Sequence, residues 1–214
     1  MILFLILVLI LGLIFIGVAG LAFRQIGFSP HVTMLILLAT LAGSYVNIPL
    51  FKLRTMMPII KEESISFFGL EFRIPQLDYD EFTTLVAINV GGALIPTILS
   101  IFLLWKLPSV TPCALAGTLI VAAATHLVAK PVKGLGIATP AFIPPLVAAL
   151  AAYLLPSSSP SIVAYVSGVL GTLIGADILN MHRLPVLGAR IASIGGAGTF
   201  DGIFLSGIIA VLLV

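Results

Sequence analysis

Charge is scarce in this sequence. Its 214 residues include ten Lys and Arg and eight Asp and Glu, whereas about a quarter of the residues in an ordinary soluble domain are charged. Hydrophobic residues make up 60% of the chain, and the mean hydropathy is +1.27. These values exclude a water-soluble globular enzyme and a disordered chain. They predict an integral membrane protein with a single domain over residues 1–214.

Cysteine, net charge and several catalytic motifs are also lacking. The single cysteine, Cys113, excludes an intrachain disulfide and a cysteine-based metal cluster. The net charge of +2 is too small to indicate a nucleic-acid partner. The sequence has no phosphate-binding Gly-Lys-Ser/Thr loop, no Gly-x-Ser-x-Gly elbow and no His-x-x-x-His spacing. We therefore expect neither a metal ion nor a cofactor.

Long apolar stretches predict an all-α protein with about seven transmembrane helices, since a helix needs about 20 apolar residues to cross a bilayer. The predicted spans are residues 1–23, 32–51, 82–105, 107–129, 134–155, 162–181 and 191–214. The fifth contains three prolines, so we expect it to be broken or re-entrant. The first lacks the basic n-region and Ala-x-Ala site of a signal peptide, so we interpret it as a retained helix.

The positions of Lys and Arg predict an orientation in the cell (inner) membrane. Under this topology eight of them lie on one side of the membrane, and only Arg24 and Lys106 lie on the other. Cytoplasmic loops carry the excess of Lys and Arg in multi-pass proteins. We therefore expect the N-terminus and residues 52–81 in the cytoplasm, and the C-terminus outside.

Residues 52–81 form the one substantial polar segment and hold ten charged residues. Within residues 65–75, apolar side chains alternate with other residues, which predicts a small β-hairpin between the second and third helices. The alternating apolar residues are Phe68, Leu70, Phe72 and Ile74. One interpretation is a loop that packs on the membrane surface. The other is an exposed edge strand that pairs with an extended peptide, in which Phe68, Leu70 and Phe72 bind substrate.

Two acids, Asp177 and Asp201, lie within the predicted sixth and seventh spans. An ionisable residue inside a membrane is costly, so it indicates a function by default. Glycines spaced four apart flank the acids and favour close helix packing, at Gly171 and Gly175 and at Gly198 and Gly202. A close pair of carboxyl groups can act on water as general base and general acid, as in aspartic proteases. It can equally carry protons or cations in a transporter.

Four other polar residues are candidates for binding a substrate or solute. Asn47 and Asn89 lie in or near the second and third spans, where they either hydrogen-bond within the structure or line a wet cavity. His126 and Lys130 are four residues apart on one helix face. They form either an interfacial histidine with a snorkelling lysine or a cationic lip that binds an acidic head group.

Several short motifs together resemble an uncharacterised family of bacterial and archaeal multi-pass membrane proteins, domain of unknown function 1614. They are Asn47-Ile48-Pro49-Leu50, Asn89-Val90-Gly91-Gly92-Ala93, Thr125-His126, Lys130-Pro131-Val132-Lys133-Gly134, Gly175-Ala176-Asp177 and the run from Gly195 to Gly202. The resemblance covers most of the chain but implies no activity.

The two acids are also distantly similar to those of presenilin and signal peptide peptidase. Those families place two aspartates on successive helices, the second in a Gly-x-Gly-Asp motif. Here Asp201 follows Phe200 instead of glycine, so the similarity is one of chemistry. It implies an intramembrane aspartyl protease.

The favoured hypothesis is an intramembrane aspartyl protease-like protein, in which Asp177 and Asp201 activate water and the hairpin holds an unwound substrate strand. The alternative is a proton- or cation-coupled transporter of small solutes, with the same acids and Asn47 and Asn89 along the path. A third is a non-catalytic accessory membrane protein. The expected partners are the lipid bilayer and either a transmembrane peptide or a small solute.

Overall fold

The computed structural model describes residues 1–67, 70–132, 136–185, 188–196 and 201–214. Its helices are α1 (Ile2–Gln25), α2 (Pro30–Gly43), α3 (Ile95–Lys106), α4 (Thr111–Val128), α5 (Ile143–Leu154), α6 (Pro160–Thr172) and α7 (Gly202–Leu212). Its strands are β1 (Asn47–Phe67), β2 (Leu70–Asn89), β3 (Lys130–Val132), β4 (Gly136–Ala138) and β5 (Ile191–Ile194). π-helical turns at Val90–Leu94 and Leu173–Ile178 and 3₁₀ turns at Pro108–Val110 and Met181–Arg183 adjoin the helices.

Three helices in the described parts of the chain are long and apolar enough to cross a membrane: Leu3–Gln25, Pro108–Val128 and Pro160–Arg183. The other apolar helices are only 10–17 residues long. The prediction of an all-α protein with about seven spans is therefore wrong, because the chain folds as a mixture of helices and strands. The three long helices are consistent with a membrane protein.

Strands replace helix in the predicted second, third and seventh spans. β1 already begins at Asn47, β2 continues to Asn89, and β5 occupies Ile191–Ile194. These stretches are rich in β-branched and aromatic residues, which favour strands, and Pro49 opposes a helix. A continuous apolar run has no periodicity that separates a buried strand from a helix. That ambiguity is the reason for the error.

β1 and β2 form a long antiparallel ribbon, here called the arm. Its pairing runs from Asn47 opposite Asn89 to Phe67 opposite Leu70, a length of about 65 Å for strands of this size. The predicted hairpin at residues 65–75 lies at the tip of the arm. Phe68 and Gly69 are outside the described residues. The expected small hairpin is therefore the end of a much longer structure.

Cross-strand ion pairs run along the arm. Arg54 lies 3.3 Å from Glu81, Lys61 lies 2.6 Å from Asp78, and Arg73 lies 3.6 Å from Glu62, all with exposed side chains. The hydrogen bond from Lys61 and the backbone N–H of Tyr79 hold the pKa of Asp78 below its ordinary value. The same hydrogen bond to Asp78 raises the pKa of Lys61.

β5 adds a third strand at the base of the arm. It pairs in parallel with Leu85–Ile88 of β2, so the sheet has the order β1-β2-β5. β3 and β4 form a separate small antiparallel hairpin between α4 and α5. The described sheet is thus mixed, and β2 is its central strand.

The core is built around α6, which packs against α4, α5 and α7. Tyr165 at its centre is fully buried. Gly171 and Gly175 of the α6 segment lie directly against α4. A Cβ at Gly175 would overlap the carbonyl oxygen of Ala122. Close helix packing at these two glycines therefore agrees with the spacing in the sequence. A Cβ on Gly202 would meet no atom within 4 Å, and Gly198 is outside the described residues.

α1 is the least enclosed helix. Its apolar side chains are largely exposed from Leu3 to Leu21, and only its last turns bury Ala19, Ala22 and Phe23 against the core. The segment up to Phe23 carries no charged side chain. An apolar surface of this extent is typical of a helix that contacts lipid.

Candidate active site

A cavity of about 510 Å³ lies where the sheet meets the helical core. This volume is in the range of small-molecule and peptide sites. Its walls come from the end of α6, the start of α7, the start of α5, and the strands β4 and β5. Asp177 and Asp201 both line it. The structure therefore brings the two predicted acids to one site.

Asp177 lies in the π-helical turn Leu173–Ile178 that continues α6. Such turns occur often at functional sites because they re-aim side chains within a helix. The buried amide of Asn180 donates to the carbonyl oxygens of Gly175 at 2.9 Å and Ala176 at 3.0 Å. These bonds satisfy backbone acceptors at the end of the helix. Asp177 itself is half-buried and lies on the cavity wall.

Asp201 is the N-cap residue of α7, so its carboxyl group lies at the positive end of the helix dipole. The backbone at Gly92 lies close to Asp201. A Cβ built on Gly92 would lie 3.0 Å from the Cβ of Asp201 and would overlap the carbonyl oxygen of Gly195. Asp177 lines the same cavity as Asp201.

An amide network extends from the cavity to this contact. The side-chain oxygen Oδ1 of Asn47 accepts from the Ser193 hydroxyl at 2.5 Å and from the Asn89 side-chain amide at 3.1 Å. Asn89 is 1% exposed, and its amide also donates to the Ser44 carbonyl oxygen at 2.7 Å. The side-chain oxygen Oδ1 of Asn89 caps the π-helical turn Val90–Leu94 by accepting from Gly92 N–H at 2.7 Å. The predicted pair Asn47 and Asn89 is thus joined, with Asn47 on the cavity wall.

The remaining predicted site residues lie away from this cavity lining. His126 is on α4 and Lys130 is the exposed first residue of β3, and neither lines the cavity. Within the described part of the chain, the buried Nδ1 of His126 has no hydrogen-bond partner. Leu70 and Phe72 belong to β2 at the tip of the arm, and Phe68 is outside the described residues. Along the ribbon, Phe72 is about 55 Å from Asn89.

Sequence reasoning missed Ser193, Thr172 and the strand β5, all of which line the cavity. The Thr172 hydroxyl donates to the Gly168 carbonyl oxygen at 2.6 Å and lies 3.0 Å from the Ser206 hydroxyl on α7. The available signal for β5 was the short Ile-Ala-Ser-Ile stretch just before Gly195 and Gly196. The predicted seventh helix begins at this stretch, where the structure has a strand.

The chemistry at the cavity rests on oxygen and amide groups. In the described residues no three His, Cys, Asp or Glu side chains are grouped so that they could hold a metal ion. The polar side chains of the cavity lining include the two carboxyl groups, the Ser193 hydroxyl and the Asn47 amide. This set can accept, donate and share protons, and it can hydrogen-bond a polar backbone group.

Comparison with known proteins gives a family but no described activity. The sequence model of the family described as "Protein of unknown function (DUF1614)" matches residues 41–213, which include all of the cavity lining. No curated protein and no solved structure matches the chain. The similarity to presenilin and signal peptide peptidase therefore stays a prediction.

Proposed function

The chain belongs to the family described as "Protein of unknown function (DUF1614)", and we propose that it hydrolyses peptide bonds of membrane-embedded substrates with Asp177 and Asp201. One observation carries the proposal: the two carboxyl groups, from different elements, line one cavity beside a long apolar helix. An ionisable side chain in apolar surroundings costs free energy, so its presence there indicates a function. A purely structural role explains one buried hydrogen-bonding group better than two acids that line one cavity.

The proposed reaction is hydrolysis by acid–base catalysis. One carboxylate takes a proton from water, whose oxygen attacks the carbonyl carbon of the peptide bond. The other carboxyl group, protonated, donates its proton to the carbonyl oxygen. The C–N bond then breaks as the amine nitrogen is protonated, and the products are a carboxylic acid and an amine. Two carboxyl groups that line one cavity suit this reaction, because neighbouring carboxyl groups share one proton more readily than they both ionise.

The test is cleavage of a fluorogenic transmembrane peptide by the purified protein in bilayer nanodiscs. We expect Asp177→Asn and Asp201→Asn each to lower the rate by at least about 10²-fold, the effect of losing a general acid or base. A transition-state-mimicking aspartyl inhibitor should protect the substrate in the unmodified protein. Asp80→Asn is the matched control, since Asp80 is an exposed carboxylate on the arm. Cleavage that survives both cavity substitutions would refute the proposal.

Coupled transport of protons or cations is the second candidate. It is favoured by the polar chain from Asn47 through Asn89 and by the π-helical turns at Val90–Leu94 and Leu173–Ile178, since interrupted helices line many transport sites. It predicts pH-driven solute uptake into liposomes that Asp201→Asn removes. A non-catalytic accessory role predicts instead that both Asn variants fully complement a deletion strain.

A further inference from the structure

β5 is an edge strand that borders the cavity. It pairs with β2 on one side, and the described part of the sheet has no strand beyond it. All four of its residues, Ile191–Ile194, line the cavity that holds both acids. An unpaired strand edge is a template for another strand, because its N–H and C=O groups lack partners.

The pairing with β2 shows which backbone groups of β5 are available. Leu85 N–H donates to the Arg190 carbonyl oxygen at 2.9 Å, and Leu85 is in register with Ile191. In a parallel ladder a residue bonds to the two neighbours of its register partner, so Arg190 and Ala192 direct their groups toward β2. Ile191 and Ser193 direct theirs to the opposite edge. There, the Ser193 carbonyl oxygen accepts from Gly196 N–H at 3.3 Å. Within the described residues, the N–H and C=O of Ile191 and the N–H of Ser193 have no hydrogen-bond partner and are available to an added strand.

A second edge strand borders the same cavity. Gly136 and Ile137 of β4 line it, and β4 pairs only with β3 in the described sheet. Ile137 is in register with Pro131, which has no N–H to donate. The Ile137 carbonyl oxygen therefore receives no hydrogen bond from its register partner. Two edge strands, β4 and β5, thus line the cavity that Asp177 and Asp201 also line.

We propose that the cavity binds an extended, apolar peptide segment as an additional strand on the free edge of β5. This inference rests on the proposed function and names its substrate form. Main-chain hydrogen bonds would supply affinity, and alternate side chains would point to opposite sides of the added strand. Apolar side chains are favoured because Ile137, Ile191 and Ile194 line the cavity. The substrate strand is therefore held at the acids themselves, not at the distant tip of the arm.

The test is binding of backbone-methylated peptides to the Asp177→Asn variant in nanodiscs, measured by fluorescence anisotropy. The probe is a labelled peptide of roughly seven Leu, Val and Ala residues flanked by Lys, a length typical of a strand. Each peptide in the series carries one N-methyl group at a successive position. We expect methylation to weaken binding by about tenfold at every second position and little in between, since alternate N–H groups face β5. Equal losses at all positions, or none, would overturn the proposal.

A pair of variants tests the protein side. Ile191→Pro removes an N–H from the free edge, where proline is tolerated in a strand, whereas Ile191→Val keeps it. We expect the proline variant to bind the unmethylated peptide about tenfold more weakly than the valine variant. Equal affinity of the two folded variants would contradict the inference. If the proline variant does not fold, the methylation series decides alone.

The two proposals fail in different ways. Alternating sensitivity in the Asp177→Asn variant, together with no cleavage by the unmodified protein, would refute the hydrolytic function and keep the strand-binding site. Cleavage that depends on both acids, with no alternation, would refute the strand and keep the hydrolytic function. Because binding is measured without turnover, neither result depends on the other.

Discussion

At the scale of single residues, Asn89 connects three parts of the chain at the base of the arm. It is almost completely buried and bonds to Ser44, Asn47 and Gly92. A buried amide at this position orders the Asn47 side chain on the cavity wall. The hydrogen bond to Gly92 also holds the turn that touches Asp201.

Replacing Asn89 by alanine should therefore destabilise the protein. The carbonyl oxygen of Ser44 and the N–H of Gly92 would lose their partner in a buried place, at a cost of about 1–3 kcal/mol. Thermal or urea unfolding in detergent micelles measures the change. Gln76→Ala, at an exposed position on the arm, is the control and should alter stability by less than about 0.5 kcal/mol. Equal stability of the two variants would contradict the network.

Gly92 offers a second residue-scale prediction, on activity. Gly92→Ala adds a methyl group that overlaps the backbone carbonyl oxygen of Gly195 and lies 3.0 Å from the Cβ of Asp201, so the backbone at this contact must shift and Asp201 with it. We expect peptide cleavage to fall by about 10²-fold, the cost of a misplacement of about 1 Å at a reacting group. Gly17→Ala is the matched control, since a Cβ there meets no atom within 4 Å. Unchanged cleavage by a folded Gly92→Ala variant would show that Asp201 does not need this position.

At the scale of elements, the arm is the least supported structure. A two-stranded ribbon in water is marginally stable by itself. The ion pairs at Arg54–Glu81, Lys61–Asp78 and Glu62–Arg73 join its two strands, and β5 supports only the base. Opposite charges across strands therefore contribute to its register as well as to its solubility.

The arm should respond to pH through Lys61 and Asp78. The pKa of Asp78 is lowered in the folded protein, so its contribution is present above its unfolded pKa and is lost as the pH falls through the folded value. The pKa of Lys61 is raised, so its contribution is full below its unfolded pKa and is lost as the pH rises through the folded value. The arm should be most protected between these limits.

Hydrogen exchange measured by mass spectrometry, corrected for the intrinsic rate at each pH, can detect this loss of protection. Lys61→Met should raise exchange in the arm at neutral pH and weaken the change on acidification. Lys52→Met is the control, because Lys52 is outside the three ion pairs. The same acid response in both variants would exclude the Lys61–Asp78 pair as its cause.

At the scale of the whole molecule, three long apolar helices accompany a sheet whose arm is about 65 Å long. Four of the ten Lys and Arg lie on the arm, so we expect the arm on the cytoplasmic side. In the described residues no helix of spanning length lies between the arm and Lys106, so we expect both on the same side of the membrane.

Labelling of single cysteines with a membrane-impermeant maleimide tests this orientation. In a Cys113→Ser background, Met56→Cys on the exposed arm should react only in inside-out vesicles. Lys106→Cys should react in the same vesicles, because no helix of spanning length separates it from the arm in the described residues. Reaction of both positions only in right-side-out vesicles would invert the orientation, and reaction from opposite sides would show that a shorter helix crosses the membrane.

Composition and short motifs are enough to indicate a membrane protein, its apolar first helix, the family and two acids of interest, because each of these depends on local residue content. The strands at 47–51, 82–89 and 191–194 and the length of the arm are seen only in the folded chain. Only the folded chain, too, brings Ser193 and Asn47 together at the cavity of Asp177 and Asp201. A short apolar run is compatible with either a helix or a strand, and its sequence alone does not distinguish them. Long-range pairing determines the outcome, since β5 forms a strand by hydrogen bonding to residues of β2 more than 100 positions away.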